Sequence, residues 1–167
     1  MIPSTIFGLP AHALIVHVAV VLVPMAALAL IAVGWRTAWR QQYAFAIAVI
    51  ASAGAVAAFL AASTGGTLKR SIETAARAGG TQAHFADHLG QGNNAEFVAI
   101  IFAVTALSFW GIERWHTRFG LPAWLPGAAY AAAIIPAAAA IITMVLAGHS
   151  GATLVWKDLG TFAGSRT

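Results

Sequence analysis

The stretch AHALIVHVAVVLVPMAALALIAV, residues 11–33, decides the fold of this 167-residue chain. It contains no Asp, Glu, Lys or Arg, and its apolar character is interrupted only by two histidines and one proline. About 20 consecutive apolar residues are enough to carry a helix across the hydrocarbon core of a bilayer. The stretch therefore predicts a transmembrane helix, and because no small-residue cleavage site follows it we expect it to be retained as a span.

Three further apolar runs have the length of a membrane span. They cover residues 43–62, 95–112 and 123–147. The whole chain is 60% hydrophobic and 8% charged, whereas soluble domains carry about a quarter of charged residues. We therefore predict an all-α fold, an integral membrane four-helix bundle that forms a single domain over residues 1–167, with one polar outer connection over residues 63–94.

Arginines in two short connections predict the orientation of the bundle. GWRTAWRQQ carries Arg36 and Arg40, and ERWHTRF carries Arg114 and Arg118 against a single acid. Basic residues are enriched in short cytoplasmic loops of membrane proteins, so both loops are predicted to be cytoplasmic and both chain termini to lie outside. Because the nine Lys and Arg residues lie mainly near span ends, their excess indicates orientation in a bilayer rather than a nucleic-acid partner.

The outer connection between the second and third spans is long and polar. Around Ile72 its pattern predicts a short amphipathic helix near the membrane interface, ended by Gly79 and Gly80. The segment TQAHFADHL predicts a second helical piece, and the glycines and asparagines over residues 90–94 predict a turn into the third span.

A short pattern occurs at the ends of both the second and the fourth span. LAASTGGTL, residues 60–68, and LAGHSGATL, residues 146–154, both fit L-A-x-x-[ST]-G-x-T-L. The pattern predicts two duplicated helical hairpins packed as a bundle, and a chance resemblance within a chain rich in Ala and Gly is the alternative. In the first copy, Ser63 occupies the place that His149 has in the second.

Histidines are the candidate ligands of this chain. It has no cysteine, which excludes disulfides, thiolate metal sites, iron–sulfur clusters and covalently attached haem. On the predicted topology His116 is cytoplasmic, and the other five share the outer side. These five are His12, His17, His84, His88 and His149.

His17 is the first candidate because it lies deepest in an apolar context. We expect it to be a ligand or a proton-handling group, with a neutral imidazole bonded to a helix carbonyl as the alternative. His12 precedes it by five residues, about 140° around a helix, so the two cannot face one centre. We assign His12 to the membrane interface.

His149 is the second candidate because small residues surround it. Gly148 and Gly151 allow a flat cofactor to approach, and Ser150 can orient an imidazole or anchor a carboxylate. The alternative is a glycine-rich helix end, capped by His149 and Ser150 without any ligand.

His84 and His88 share a helix face if their segment is helical, which suits a metal site or a ligand with a hydrogen-bonded helper; a solvated polar face is the alternative. Glu96, at the start of the third span, is a candidate for carrying protons to a quinone or a haem propionate. A carboxylate placed favourably on the helix dipole is the alternative for Glu96.

Several of these pieces resemble the DUF2231 family of small bacterial four-span membrane proteins, in its actinobacterial form. They are GLPAHALIVHVAVVLVPMAALAL, with His12 and His17 spaced as H-x4-H, the histidine-bearing connection, and GHSGATLVW near the last span. The resemblance covers most of the chain and implies four spans in a bacterial plasma membrane. Related domains occur joined to Rieske or cytochrome c modules, which implies a redox setting. The family's histidine before the third span corresponds to either His84 or His88.

The leading hypothesis is a membrane electron-transfer protein, a redox carrier or subunit rather than a stand-alone enzyme, that binds b-type haem near its outer face. His17 is the expected first axial ligand, and His149, then His88 or His84, is expected to be the second. A quinone or a periplasmic redox protein is the expected partner, and a homodimer is compatible with the sequence.

Two other classes of function stay open. One is a non-catalytic subunit or pH-responsive scaffold whose histidines make interhelical hydrogen bonds. The other is a transition-metal site at the outer mouth, formed by His84, His88 and His149 with Asp87.

Overall fold

The computed structural model describes residues 5–6, 9–79 and 86–164, and the side chains of 11–70, 73–74, 77–79 and 88–153. A two-residue strand β1, Thr5–Ile6, pairs antiparallel with β2, Leu9–Pro10. Four long helices follow. They are α1 Ala11–Val33, α2 Thr37–Ala78, α3 Ala86–Trp115 and α4 Leu125–Gly164.

Every helix contains a stretch that is long and apolar enough to cross a membrane. These stretches are Ala11–Val33, Thr37–Arg70, His88–Trp115 and Leu125–Thr153. The helices pack in the order α1, α2, α3, α4 around the bundle, with the loosest contact between α4 and α1 and with α1 and α3 on a diagonal. The predicted all-α bundle of four spans is confirmed, and α1 has the bounds that the sequence predicts.

The outer connection differs from the sequence prediction over residues 63–94. α2 continues without a break to Ala78, so the short separate helix around Ile72 is part of α2. Residues 90–94 lie inside α3, so the predicted turn at these glycines and asparagines is wrong. A glycine inside a helix costs only about 1 kcal/mol relative to alanine, which the packing of long helices outweighs.

The last helix also continues beyond the predicted span. α4 runs through the GHSG segment to Gly164, so Gly148 and Gly151 are helix-interior residues and do not end a helix. At 1.5 Å per residue, α2 and α4 are each roughly 60 Å long, about twice the thickness of a bilayer core. The ends of these two helices therefore extend past the membrane.

Small residues dominate the bundle core. Most buried side chains are alanines, and the largest fully buried ones are Phe102, Phe109, Leu30 and Val23. Membrane helices gain little from the hydrophobic effect against each other, so small side chains that let backbones approach closely favour association. Gly54 shows this closeness, because a methyl group there would lie 2.7 Å from Val23 Cγ2.

One end of the bundle, which we call the arginine end, is tied together by polar contacts. The Arg40 Nε atom of α2 lies 3.3 Å from Oε1 of Glu113 on α3, and the Glu113 side chain is almost fully buried. The Tyr130 hydroxyl of α4 donates a hydrogen bond of 3.0 Å to the carbonyl of Ile31 on α1. These two contacts involve all four helices and fix their spacing at this end.

Two glycines allow the tight connections at the arginine end. Gly120, between α3 and α4, has φ of 62°, a left-handed conformation that side chains rarely adopt. Gly34, after α1, packs directly under Tyr130, because a methyl group at position 34 would lie 1.8 Å from the Tyr130 hydroxyl oxygen. Only glycine fits at position 34 without displacing the Tyr130 side chain.

Substitution of Gly34→Ala is expected to destabilise the protein by about 1–3 kcal/mol, the usual cost of overpacking, because the added methyl group must displace Tyr130. Thermal unfolding in detergent measures the loss. Gly127→Ala is the matched control, since a methyl group at position 127 meets nothing within 4 Å. Equal unfolding temperatures for the two variants would contradict the packing described here.

Candidate functional site

A cavity lies at the opposite end of the bundle, which we call the histidine end. Its volume is about 80 Å³, and all four helices contribute to its wall. The wall is mainly alanine, glycine and valine, with four polar side chains, namely His12, His88, Asn93 and Glu96. Small residues such as Ala58 and Ala147 line this end and leave the cavity open. In the other half of the bundle, buried phenylalanines fill the corresponding space.

His12 lies in the first turn of α1 and contacts α2. Its Nδ1 atom is 2.8 Å from the carbonyl oxygen of Ala61. A carbonyl oxygen can only accept, so Nδ1 carries the hydrogen and Nε2 of the neutral ring keeps its lone pair. The ring lies against Gly65, where a methyl group would be 3.0 Å from Cε1 of His12.

His88 occupies the corresponding place on α3 and contacts α4. Its Nδ1 atom is 3.0 Å from the hydroxyl oxygen of Ser150. That hydroxyl donates its single proton to the carbonyl of Ala147, at 2.9 Å, so it accepts from His88 and Nδ1 again carries the hydrogen. The ring lies against Gly151, where a methyl group would be 3.0 Å from Cε1 of His88.

The partners of both histidines belong to the two copies of L-A-x-x-[ST]-G-x-T-L. We call each set of partners an imidazole seat. The first seat is Ala61, Thr64 and Gly65, and the second is Ala147, Ser150 and Gly151. In each seat the hydroxyl bonds the carbonyl three residues earlier, at 3.0 Å in the first and 2.9 Å in the second. The equivalent contacts support the prediction of two duplicated hairpins.

The two imidazoles line the same cavity from the diagonal helices α1 and α3. Their ring centroids are 6.4 Å apart, with an angle of 80° between the ring planes. Within the described part of the chain, neither Nε2 atom makes a hydrogen bond, whereas both Nδ1 atoms do. The pair therefore presents two available nitrogen lone pairs at one site.

The structure places His17 and His149 outside this cavity. The His17 side chain is exposed on the surface of α1, and its Nδ1 atom bonds the carbonyl of Ala13 in the preceding turn. The His149 side chain is also exposed, although Gly148 lines the cavity. The expected pairing of these two residues does not occur in this structure.

His12 and His17 lie on different faces of α1, as their spacing of five residues predicts. The His12 side chain lines the cavity, whereas the His17 side chain is exposed. Depth in the apolar run favoured His17, yet depth carries no information about which helix face meets the neighbouring helices. The repeat at residues 60–68 is the sequence signal for the inward face, because it supplies the partner of His12.

The remaining predicted site residues have different outcomes. His84 and the Asp87 side chain lie outside the described residues, so the outer metal site that uses them stays a prediction. In the part of the chain that the structure describes, no group of three His, Cys, Asp or Glu side chains has the arrangement of a metal site. Glu96 is partly buried, lines the cavity, and has no hydrogen bond or ion pair within the described residues.

Comparison with known proteins adds one finding. The model of a family described as "Predicted membrane protein (DUF2231)" matches residues 8–163. No curated protein and no solved structure matches the chain.

Gly65→Ala is expected to disturb the first imidazole seat, because the added methyl group presses on the His12 ring. The adjacent Gly66→Ala is the matched control, since a methyl group there meets nothing within 4 Å. Both substitutions replace a helical glycine by alanine, which stabilises the helix by up to about 1 kcal/mol. Gly66→Ala should therefore raise the unfolding temperature. Gly65→Ala should raise it less, or lower it, because the contact with His12 offsets the gain.

A His12→Ala background completes this test. With the imidazole removed, Gly65→Ala should become as stabilising as Gly66→Ala, which a double-mutant cycle of thermal unfolding measures. Absence of any coupling between positions 12 and 65 would show that the ring does not lie against this glycine.

Proposed function

We propose that this chain, which belongs to the DUF2231 family of predicted membrane proteins, binds b-type haem between His12 and His88 and transfers electrons. The observation that carries the proposal is the pair of imidazoles on diagonal helices. Each has its Nδ1 atom hydrogen-bonded to an acceptor and its Nε2 atom without a partner among the described residues. The ligand pair expected from the sequence, His17 with His149, is replaced by His12 with His88.

The chemistry of the two imidazoles fits a metal-centred cofactor. A ligating histidine usually donates its second N–H to a carbonyl or another acceptor, which fixes the ring and raises the basicity of the ligating nitrogen. Both imidazole seats have this arrangement. The two ring centroids lie 6.4 Å apart, so both imidazoles belong to one site.

The cavity wall near the two histidines consists mainly of small side chains, which favours the entry of a flat group. Gly92 and Gly148, which line the cavity, carry no side chains that would narrow it. When bound, haem would supply one-electron chemistry, with a potential set by its axial ligands, their hydrogen bonds and the surrounding dielectric.

The chain's own residues then have separate tasks. Ala61 and Ser150 hold the two imidazoles in the tautomer that leaves Nε2 available. The apolar alanine and valine wall lowers the local dielectric, which strengthens the effect of each nearby dipole and charge. The first ring bonds a carbonyl and the second a hydroxyl, so the two ligands differ in basicity.

The site would lie near the outer face of a bacterial plasma membrane. The arginines of the two short loops lie at the end opposite the cavity, and such loops are cytoplasmic by the positive-inside rule. The histidine end and both termini are then outside. This location suits a redox carrier or subunit that exchanges electrons with a quinone in the bilayer or with a periplasmic redox protein.

A non-catalytic scaffold is the second candidate, and one observation favours it. The same Nδ1 hydrogen bonds join α1 to α2 and α3 to α4, so they hold the hairpins together even without a ligand. On this alternative the purified protein is colourless, and the histidines contribute only to stability.

The orientation is tested with single cysteines, which the cysteine-free chain allows. Thr74 and Thr117 are both exposed and lie at opposite ends of the bundle. A membrane-impermeant maleimide should label Thr74→Cys in intact cells and should label Thr117→Cys only after permeabilisation. The reverse pattern would invert the topology and place the cavity on the cytoplasmic side.

Haem binding is tested by absorption spectra of the purified protein. We expect sharp reduced-minus-oxidised bands in the natural chain and a loss of haem content of at least about tenfold in His12→Ala and in His88→Ala, because each removes an imidazole that would hold the haem. His17→Ala and His149→Ala are matched controls that should keep full haem content, since both side chains lie outside the cavity.

Three outcomes would contradict the proposal. A featureless spectrum from protein produced in haem-replete cells would leave the scaffold as the favoured function. Haem loss in the His17 and His149 variants alone would restore the pair that the sequence favoured. Full haem content in all four variants would place the cofactor elsewhere.

A further inference from the structure

Glu96 is the acidic side chain that lines the cavity in the described part of the chain. It lies two helical turns from His88 along α3, about 12 Å at 1.5 Å per residue, and within the predicted membrane span His88–Trp115. Its side chain is partly buried and has neither a hydrogen bond nor an ion pair among the described residues. An ionisable side chain within a span is costly, which makes a functional role the first hypothesis.

The surroundings of Glu96 contain few other charges. Among the described residues that line the cavity, α1 contributes the titratable side chain of His12, and α3 contributes His88 besides Glu96 itself. The lining residues of α2 and α4 are alanines, a methionine and a glycine, none of which titrates. Within this wall, Glu96 is the one group that can change from a negative to a neutral state.

We propose that Glu96 is the proton acceptor of the redox site. This inference rests on the proposed haem site and deepens it. On reduction of the site by one electron from a quinol or a small redox protein, the Glu96 carboxylate would take up one proton from water at the histidine end and become a neutral carboxylic acid. On reoxidation the O–H bond breaks and the proton returns to water, so electrons, protons and charge balance.

The physical reason is electrostatic. A low-dielectric wall screens charges weakly, so an electron added to the cavity favours the neutral form of a carboxylate in the same cavity. Uptake of the proton cancels the added charge and lowers the cost of placing the electron there. The carboxylate therefore makes reduction of the site dependent on pH.

The experiment is a spectroelectrochemical titration of the holoprotein between about pH 5 and about pH 9. Coupling of one proton to one electron should lower the midpoint potential by up to about 59 mV per pH unit, the shift for a tenfold change in a one-electron couple. Glu96→Gln cannot take up the proton and should give a potential that does not follow pH in this range. Glu96→Asp keeps a carboxylate and should keep the dependence.

Glu73→Gln is the matched control. Glu73 is a half-buried acid of α2 whose carboxylate lies 3.6 Å from Lys69 Nζ, and it is not among the residues that line the cavity. Its substitution removes the same charge and should leave the pH dependence unchanged. A redox-induced infrared difference spectrum of the natural chain adds a measurement that needs no stable variant, because reduction should produce the C=O band of a protonated carboxyl group.

The outcomes separate the two proposals. A normal haem spectrum with a potential independent of pH, or with the same dependence in Glu96→Gln, would overturn the role of Glu96 and leave haem binding intact. A lack of the carboxyl band on reduction would also overturn it. If the natural chain binds no haem, the proposed function fails and the role of Glu96 fails with it.

Discussion

An N–H group inside a bilayer needs an acceptor within the protein, and this requirement governs the histidine end of the bundle. A polar group buried in an apolar medium without a partner costs several kcal/mol, roughly 2–7 in transfer measurements. His12 and His88 meet the requirement through the carbonyl of Ala61 and the hydroxyl of Ser150. Each acceptor lies on the following helix, so satisfying each imidazole also fixes the packing of its hairpin.

The two ends of the bundle use their side chains for different purposes. At the arginine end, the Arg40–Glu113 pair and the Tyr130 hydroxyl connect all four helices, and Phe109 packs 5.7 Å from the ring of Tyr130. At the histidine end, alanines and glycines leave a cavity instead. A rigid, filled end can keep the helices in place while the other end holds a ligand, which is how a bundle preorganises a site between its helices.

The spans were predictable from sequence because lipid leaves the backbone few alternatives to a helix. The first span was predicted with the bounds of α1, but the lengths of α2 and α4 were not, since polar residues beyond the membrane continue a helix as readily as they end one. The candidate site was predicted only in part. The sequence identified the repeat and its Gly151 and Ser150, but it assigned the ligand role to His149 within the repeat. In the structure, the repeat instead provides hydrogen-bond partners to histidines of other helices. Which histidine meets each copy of the repeat depends on how each helix is rotated about its axis and on which helices are neighbours.

The central claim is that His12 and His88 form one site by presenting unprotonated Nε2 atoms while their Nδ1 atoms donate hydrogen bonds. Nitrogen-15 NMR of histidine-labelled protein without ligand, at a pH where the imidazoles are neutral, tests it most directly. Assigned with His12→Ala and His88→Ala, both rings should carry their hydrogen on Nδ1, and Ser150→Ala should remove that preference from His88 alone. Hydrogen on Nε2 of both rings would contradict the account, because neither nitrogen lone pair would then be available to a ligand in the cavity.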